Sequence, residues 1–209
     1  MNKGINLIKN EKVAHLLAVI LICIALAVET VEFITSSIDY FLYQSLFAFL
    51  FEIITNGLLI YALLRKKPVL IELALVILKV FEATFYPLES CERLDALLRI
   101  DQIDTFYIVT HVLFAIAAFS LLFGLIFFCI YKLKDNIKYW DIMKIWVLVA
   151  SVFMAVITIL YAIEIVKNDN MSWEEILEPI ALSILFLGMF MTYEYVEEEI
   201  IYGEETSAS

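Results

Sequence analysis

Six long apolar stretches dominate the chain, at roughly residues 13–36, 40–64, 68–88, 106–131, 143–166 and 177–196, with short polar connectors between them. Each supplies about the ~20 apolar residues that a helix needs to cross a ~30 Å hydrocarbon layer. Lipid cannot hydrogen-bond an open strand edge or an irregular backbone, so helices are the expected solution. The expected fold is all-α: a polytopic membrane protein, a six-transmembrane-helix bundle whose first partner is the lipid bilayer. Hydrophobic residues make up 63% of the 209. A single membrane domain over 1–196 uses nearly all of them, and no segment is left for a soluble catalytic domain. The first apolar run continues past Ala25-Leu26-Ala27 to Phe33-Ile34 and is read as a retained helix, not a cleaved leader.

Charge gives the expected orientation. Lys3, Lys9, Lys12, Arg65, Lys66, Lys67, Lys132, Lys134, Lys138 and Lys144 all fall at one end of the stretches, while only Arg93, Arg99 and Lys167 fall at the other. The positive-inside rule then places both termini in the cytoplasm, N-in and C-in, as in a bacterial plasma membrane. The acids are biased the other way, with Asp39, Glu89, Glu92, Asp95, Asp101, Asp104, Asp169, Glu174, Glu175 and Glu178 at the outer ends. Such a face concentrates cations and repels nucleic acid, which is excluded as a partner. The segment 88–104 has leucines at helical spacing and is expected as a separate amphipathic helix at the outer interface, with Pro87 ending the helix before it. The segment 197–209 is expected as an acidic cytoplasmic tail.

The most informative residues are the ionisable ones inside the apolar stretches. Glu52 precedes Arg65 by 13 residues and Lys79 follows Lys67 by 12, so at ~1.5 Å per residue both lie ~18–20 Å from the basic edge. Charge at that depth is costly and must face the bundle interior. Equal depth on consecutive helices leads to the expectation that Glu52 and Lys79 form an ion pair. Asn56 and Glu82 extend the same faces, and Glu29 and Glu32 continue the series outward. Glu164, His111 and Glu178 are candidates at the outer mouth. The bland alternative is a register-setting ion pair with the outer glutamates wetted at helix ends. Tyr40, Tyr43, Tyr86, Tyr107, Trp140, Trp146, Trp173 and Tyr193 fall near stretch ends and are expected as interface anchors.

Internal similarity divides the chain into three hairpins. ALAVETV around Glu29, LKVFEAT around Glu82 and LYAIEIV around Glu164 align in the odd stretches, and Gly57, Gly124 and Gly188 align in the even ones. A triplicated hairpin would place the three glutamates equivalently about an axis along the membrane normal.

Chemistry-bearing motifs are missing. Cys23, Cys91 and Cys129 have no metal or disulfide spacing. Glu174-Glu175 resembles the paired glutamates of intramembrane metalloproteases, but the arginine that follows them in that family is absent. No metal-protease, nucleophile-elbow, phosphate-loop or dinucleotide fingerprint occurs. Neither an enzyme nor a cofactor is expected. The expected function is that of a small transporter, a channel-like protein or a membrane-embedded substrate-binding subunit, whose carboxylates handle protons, cations or a cationic solute. The other class is a non-transporting membrane protein serving immunity, assembly or sensing through helix contacts.

Overall fold

The computed structural model describes residues 11–36, 43–99, 104–167 and 171–197. The expected acidic tail beyond Glu197, and the outer positions Asp39, Asp101 and Asp169, lie outside the described residues. The described residues are helical throughout, with no strand. The helices are α1 (Glu11–Ser36), α2 (Tyr43–Leu64), α3 (Pro68–Leu98), α4 (Thr105–Lys134), α5 (Ile137–Lys167) and α6 (Leu177–Val196), the last preceded by a short 3₁₀ turn at Trp173–Ile176.

Among the described residues, four segments are long and apolar enough to cross a membrane: Lys12–Thr35, Thr105–Lys134, Ile137–Lys167 and Trp173–Val196. In α2 the apolar run is shorter, Phe49–Leu64, and α3 carries Glu72, Lys79, Glu82 and Glu89 along its length. The two helices that fall short are therefore those holding the central ionisable residues. The outward faces are apolar in the way a bilayer requires. Leu16, Ile20 and Ile24 on α1, Val112, Ile116, Phe119 and Phe123 on α4, and Val152, Val156 and Ile159 on α5 are all exposed at helical spacing. The polar side chains Glu29, Asn56, Lys79 and Glu82 are buried instead. A water-soluble protein would reverse that pattern, because so much contiguous apolar surface drives association.

Each helix packs on its neighbours in sequence, and α6 returns along α1 to close the circuit. Short, well-defined turns set this order. Lys66 adopts a left-handed conformation (φ 49°) after α2, and Pro68 starts α3, where its missing N–H costs nothing. The Asp104 side chain caps α4 by accepting from the Phe106 amide at 2.9 Å, and Asp135 ends the helix in the left-handed region. Ser172 and Glu175 form a capping box ahead of α6. Between α5 and α6, Ser151 Oγ donates to the Ser183 carbonyl at 2.9 Å and Ser183 Oγ donates back to the Ser151 carbonyl at 3.3 Å. That reciprocal clamp fixes the register of the two helices.

Two expectations are corrected here. Pro87 does not end α3, which continues through it to Leu98, so the segment expected as a separate interfacial helix is the outer part of a 31-residue helix. At ~1.5 Å per residue that helix is ~46 Å long and projects well beyond a ~30 Å hydrocarbon layer. Nothing forces a break, because proline's loss of one backbone bond is tolerated in a helix packed against neighbouring helices. The anchoring role expected for Tyr86, Trp140 and Tyr193 is also corrected, since all three are buried in the bundle.

The aligned glycines occupy unlike surroundings. A Cβ on Gly57 would meet nothing within 4 Å, one on Gly124 would touch Lys79 Nζ at 3.6 Å, and one on Gly188 would lie 2.8 Å from Ile22 Cγ1 and 3.3 Å from the Ile22 backbone nitrogen. Gly188 therefore sets how closely α6 approaches α1. Gly188→Ala is expected to destabilise the protein by ~1–3 kcal/mol through overpacking. Gly57→Ala should be neutral or stabilising by up to ~1 kcal/mol, because it removes only the flexibility of a helical glycine. Chemical unfolding of the two variants in detergent micelles measures the contrast.

Candidate functional site

The centre of the bundle collects the ionisable residues of α1, α2 and α3. Glu29 is 5% exposed, Glu82 2% and Asn56 0%. Both carboxyl oxygens of Glu29, both of Glu82 and both polar atoms of the Asn56 amide are buried with no hydrogen-bond partner. Glu52 is the exception, its Oε1 accepting from the Tyr86 hydroxyl at 2.9 Å. Glu29 lies within electrostatic reach of Glu52, Glu82 and Glu32, and Glu82 within reach of Glu52 and Lys79. Three carboxyl groups and one ammonium thus share one buried region.

The expected Glu52–Lys79 ion pair is not formed. Lys79 Nζ instead donates to the Tyr193 hydroxyl of α6 at 3.2 Å. The ammonium stands 4.5 Å from the Tyr193 ring centroid and 5.9 Å from that of Phe128. The bareness of Gly124 leaves room for it. The physical reason is rotational: equal depth does not make two helix faces converge, and α3 turns Lys79 toward α6 while Glu52 meets Tyr86. Each charge has a tyrosine hydroxyl, and Lys79 adds the π faces of two rings, which attract a desolvated cation. Residues 79, 82 and 86 form one stripe of α3 at three- and four-residue spacing, so the periodicity that placed Glu82 could also have drawn in Tyr86.

Toward the acidic end, Arg93 binds Glu89 at 2.6 Å and also Glu178 of α6. Arg93 lies beyond the apolar part of α3. Burial opposes its charge, but Glu178 and Glu89 overcome that and raise its pKa. Glu32 is in electrostatic contact with Glu178, Arg93 and Glu89 on one side and with Glu52 on the other. It joins the outer group to the central one. His111 lies beside Arg93 and Glu178 around a small cavity of about 20 Å³, lined also by Thr110, Tyr161 and Glu175. That is room for about one water molecule. Of the outer candidates, His111 and Glu178 come together, whereas Glu164 is only half-buried and neighbours Tyr107 with Asp104 and Glu175. It does not share the surroundings of Glu29 and Glu82.

At the basic end lies a cluster that sequence reasoning missed. Lys144 of α5 is 2% exposed, and its Nζ bonds to Glu194 at 3.0 Å, to Glu197 and, at 3.5 Å, to Asp141. In the sequence, Lys144 counted only as one of the basic residues that set orientation. The available signal was Glu194 and Glu197 at three-residue spacing on the last turn of α6, opposite a lysine at the matching end of α5.

Among the described residues no three His, Cys, Asp or Glu side chains converge tightly enough to hold a metal ion. Comparison of the chain with known protein families, with curated proteins and with solved structures gave no match. The functional argument rests on the site.

Replacement of the expected pair by two tyrosine contacts is measurable. In double-mutant cycles of unfolding free energy, Glu52→Gln with Tyr86→Phe should show coupling of ~0.5–3 kcal/mol, as for groups that share a hydrogen bond. Glu52→Gln with Lys79→Met should be additive within ~0.5 kcal/mol.

Proposed function

We propose that this chain is a six-span membrane protein, N-in and C-in, that moves protons through the interior of its bundle. The observation that carries the reading is the charge balance of the central region. Among the described residues, Glu29, Glu52 and Glu82 lie within electrostatic reach of one another, only Glu82 also reaches the Lys79 ammonium, and both carboxyl oxygens of Glu29 and of Glu82 have no hydrogen-bond partner. Ionised carboxylates cannot be left unpaired in a medium of low dielectric, because the desolvation cost is large. Each such group must hold a proton or a cation. Carboxyls not gathered as metal ligands favour the proton, which needs neither a coordination shell nor a cavity of its own. Glu32 supplies a connection to the acidic outer face.

The spanning reading takes α2 and α3 as membrane helices despite their charges, because those charges turn inward while the remaining faces present residues such as Leu50, Ile54, Leu73 and Val80 outward. The orientation follows from the basic end. Cys91 and Cys129 are both exposed, on opposite ends of that topology. A membrane-impermeant maleimide applied to intact cells should label Cys91 and spare Cys129. Labelling of Cys129 from outside would reverse the topology.

Transport is tested in liposomes carrying an internal pH dye under a potassium diffusion potential. The reconstituted protein should acidify or alkalinise the lumen according to the sign of the potential. Glu82→Gln and Glu29→Gln should each reduce that flux at least tenfold while leaving the unfolding midpoint within a few degrees. A folded wild-type protein with no flux at either sign would instead favour the non-transporting class, in which the buried carboxyls serve helix contacts.

A further inference from the structure

The last turn of α6 gathers contacts from three other helices within five residues. Tyr193 takes the Lys79 ammonium of α3. Glu194 and Glu197 take the Lys144 ammonium of α5. Tyr195 stacks obliquely on the His15 ring of α1, with centroids 4.9 Å apart, and His15 Nε2 lies 2.9 Å from the Leu63 carbonyl of α2. Every residue from Thr192 to Glu197 is buried. This is unusual for the end of a helix that leads into an acidic segment, since a solvated terminus would leave its glutamates in water.

Among the described residues, the Lys144 ammonium bridges Asp141, Glu194 and Glu197, and Glu194 Oε2 and Glu197 Oε1 are buried without a hydrogen-bond partner. The second oxygens of the two glutamates therefore need another positive charge or a proton. Among the described residues, the titratable and charged groups that face the cluster include Lys144 and Asp141 on α5, Tyr131 on α4, which is in electrostatic contact with Glu197, and His15 on α1 across Tyr195. Glu197 lies just past the spanning part of α6, where burial pushes its carboxyl up against the opposing pull of Lys144.

We infer that Lys144, Asp141, Glu194 and Glu197 form a second proton-binding site at the basic end of the bundle, holding one proton at the Glu197 carboxyl. The proton comes from cytoplasmic water and converts one carboxylate to a carboxylic acid, whose new O–H donor satisfies an oxygen that the lysine cannot reach. Tyr193 and Glu194 are adjacent on α6, so this site and the Lys79 end of the central site are held by consecutive residues of one helix. The inference extends the proposed proton route by giving it an inner terminus, but the site itself does not depend on transport.

Infrared spectroscopy of the full chain in lipid tests it, because a protonated carboxyl has a C=O stretch well separated from that of a carboxylate. At neutral pH, Glu197→Gln and Glu194→Gln should each remove or shift the same component of that band, and Glu29→Gln and Glu82→Gln should leave that component in place. Asp141→Asn, which leaves both glutamates, keeps the test open if either Gln variant fails to fold: it should shift the component without abolishing it. A band unchanged in all three variants would overturn the inference and make the cluster a salt bridge only. In liposomes, Glu197→Gln should also slow proton flux about tenfold. Loss of the band component together with the absence of flux in the wild type would uphold the site and reject the transport reading.

Discussion

The bond from the Lys79 ammonium to the Tyr193 hydroxyl crosses the bundle interior from α3 to α6, and much of the surrounding arrangement depends on it. A lysine buried at mid-helix has no water to solvate it and must find acceptors and π faces in protein. Here it finds Tyr193 and Phe128. To reach them it turns away from Glu52, which leaves that carboxyl to Tyr86. Glu82 and Glu29 then have neither a lysine nor a hydroxyl within bonding distance.

The same helix end joins two otherwise separate charged regions. Tyr193 belongs to the central one and Glu194 to the Lys144 cluster, so α6 cannot slide or rotate without disturbing both. Close contact with α1 reinforces this. Gly188 lets Ile22 approach to a distance that a methyl group would block, and α6 is the most heavily buried of the candidate spans. A polar route through such a bundle needs a rigid element to hold its groups in line, and α6 has the packing for that role.

At the acidic end, Arg93 has the opposite effect. It bridges Glu89 and Glu178, so these outer acids share a cation, whereas Glu29 and Glu82, farther in, have no hydrogen-bond partner. The gradient of unmet negative charge therefore points inward. Glu32 lies in electrostatic contact with both groups, with Glu178, Arg93 and Glu89 on one side and Glu52 on the other.

Much of the architecture is legible in the chain because hydrophobic length and charge placement act locally. Runs of apolar residues broken by Arg65–Pro68, Asp135–Asn136 and the outer acids mark the order of the helices, although α3 runs ten residues past the end of its apolar stretch and α5 begins six residues before its own. An isolated charge among apolar neighbours must face inward whatever its partner, so the sequence alone identified Glu29, Glu52, Asn56, Lys79 and Glu82 as residues to watch. Partners were not legible. Depth along a helix can be counted, but rotation about its axis depends on packing against every neighbour, and that separated Glu52 from Lys79. Tyr86 and Tyr193 looked like interface anchors because an amphipathic ring at a helix end has that meaning in isolation; only the tertiary structure turned them inward. Pro87 reads as a helix stop for a similar reason, since local propensity favours an end there and the packed neighbours of α3 decide otherwise. The Lys144 cluster joins residues some fifty positions apart, each ordinary in its own segment, and it exists only because α5 and α6 bring their basic-end turns together in a medium without water.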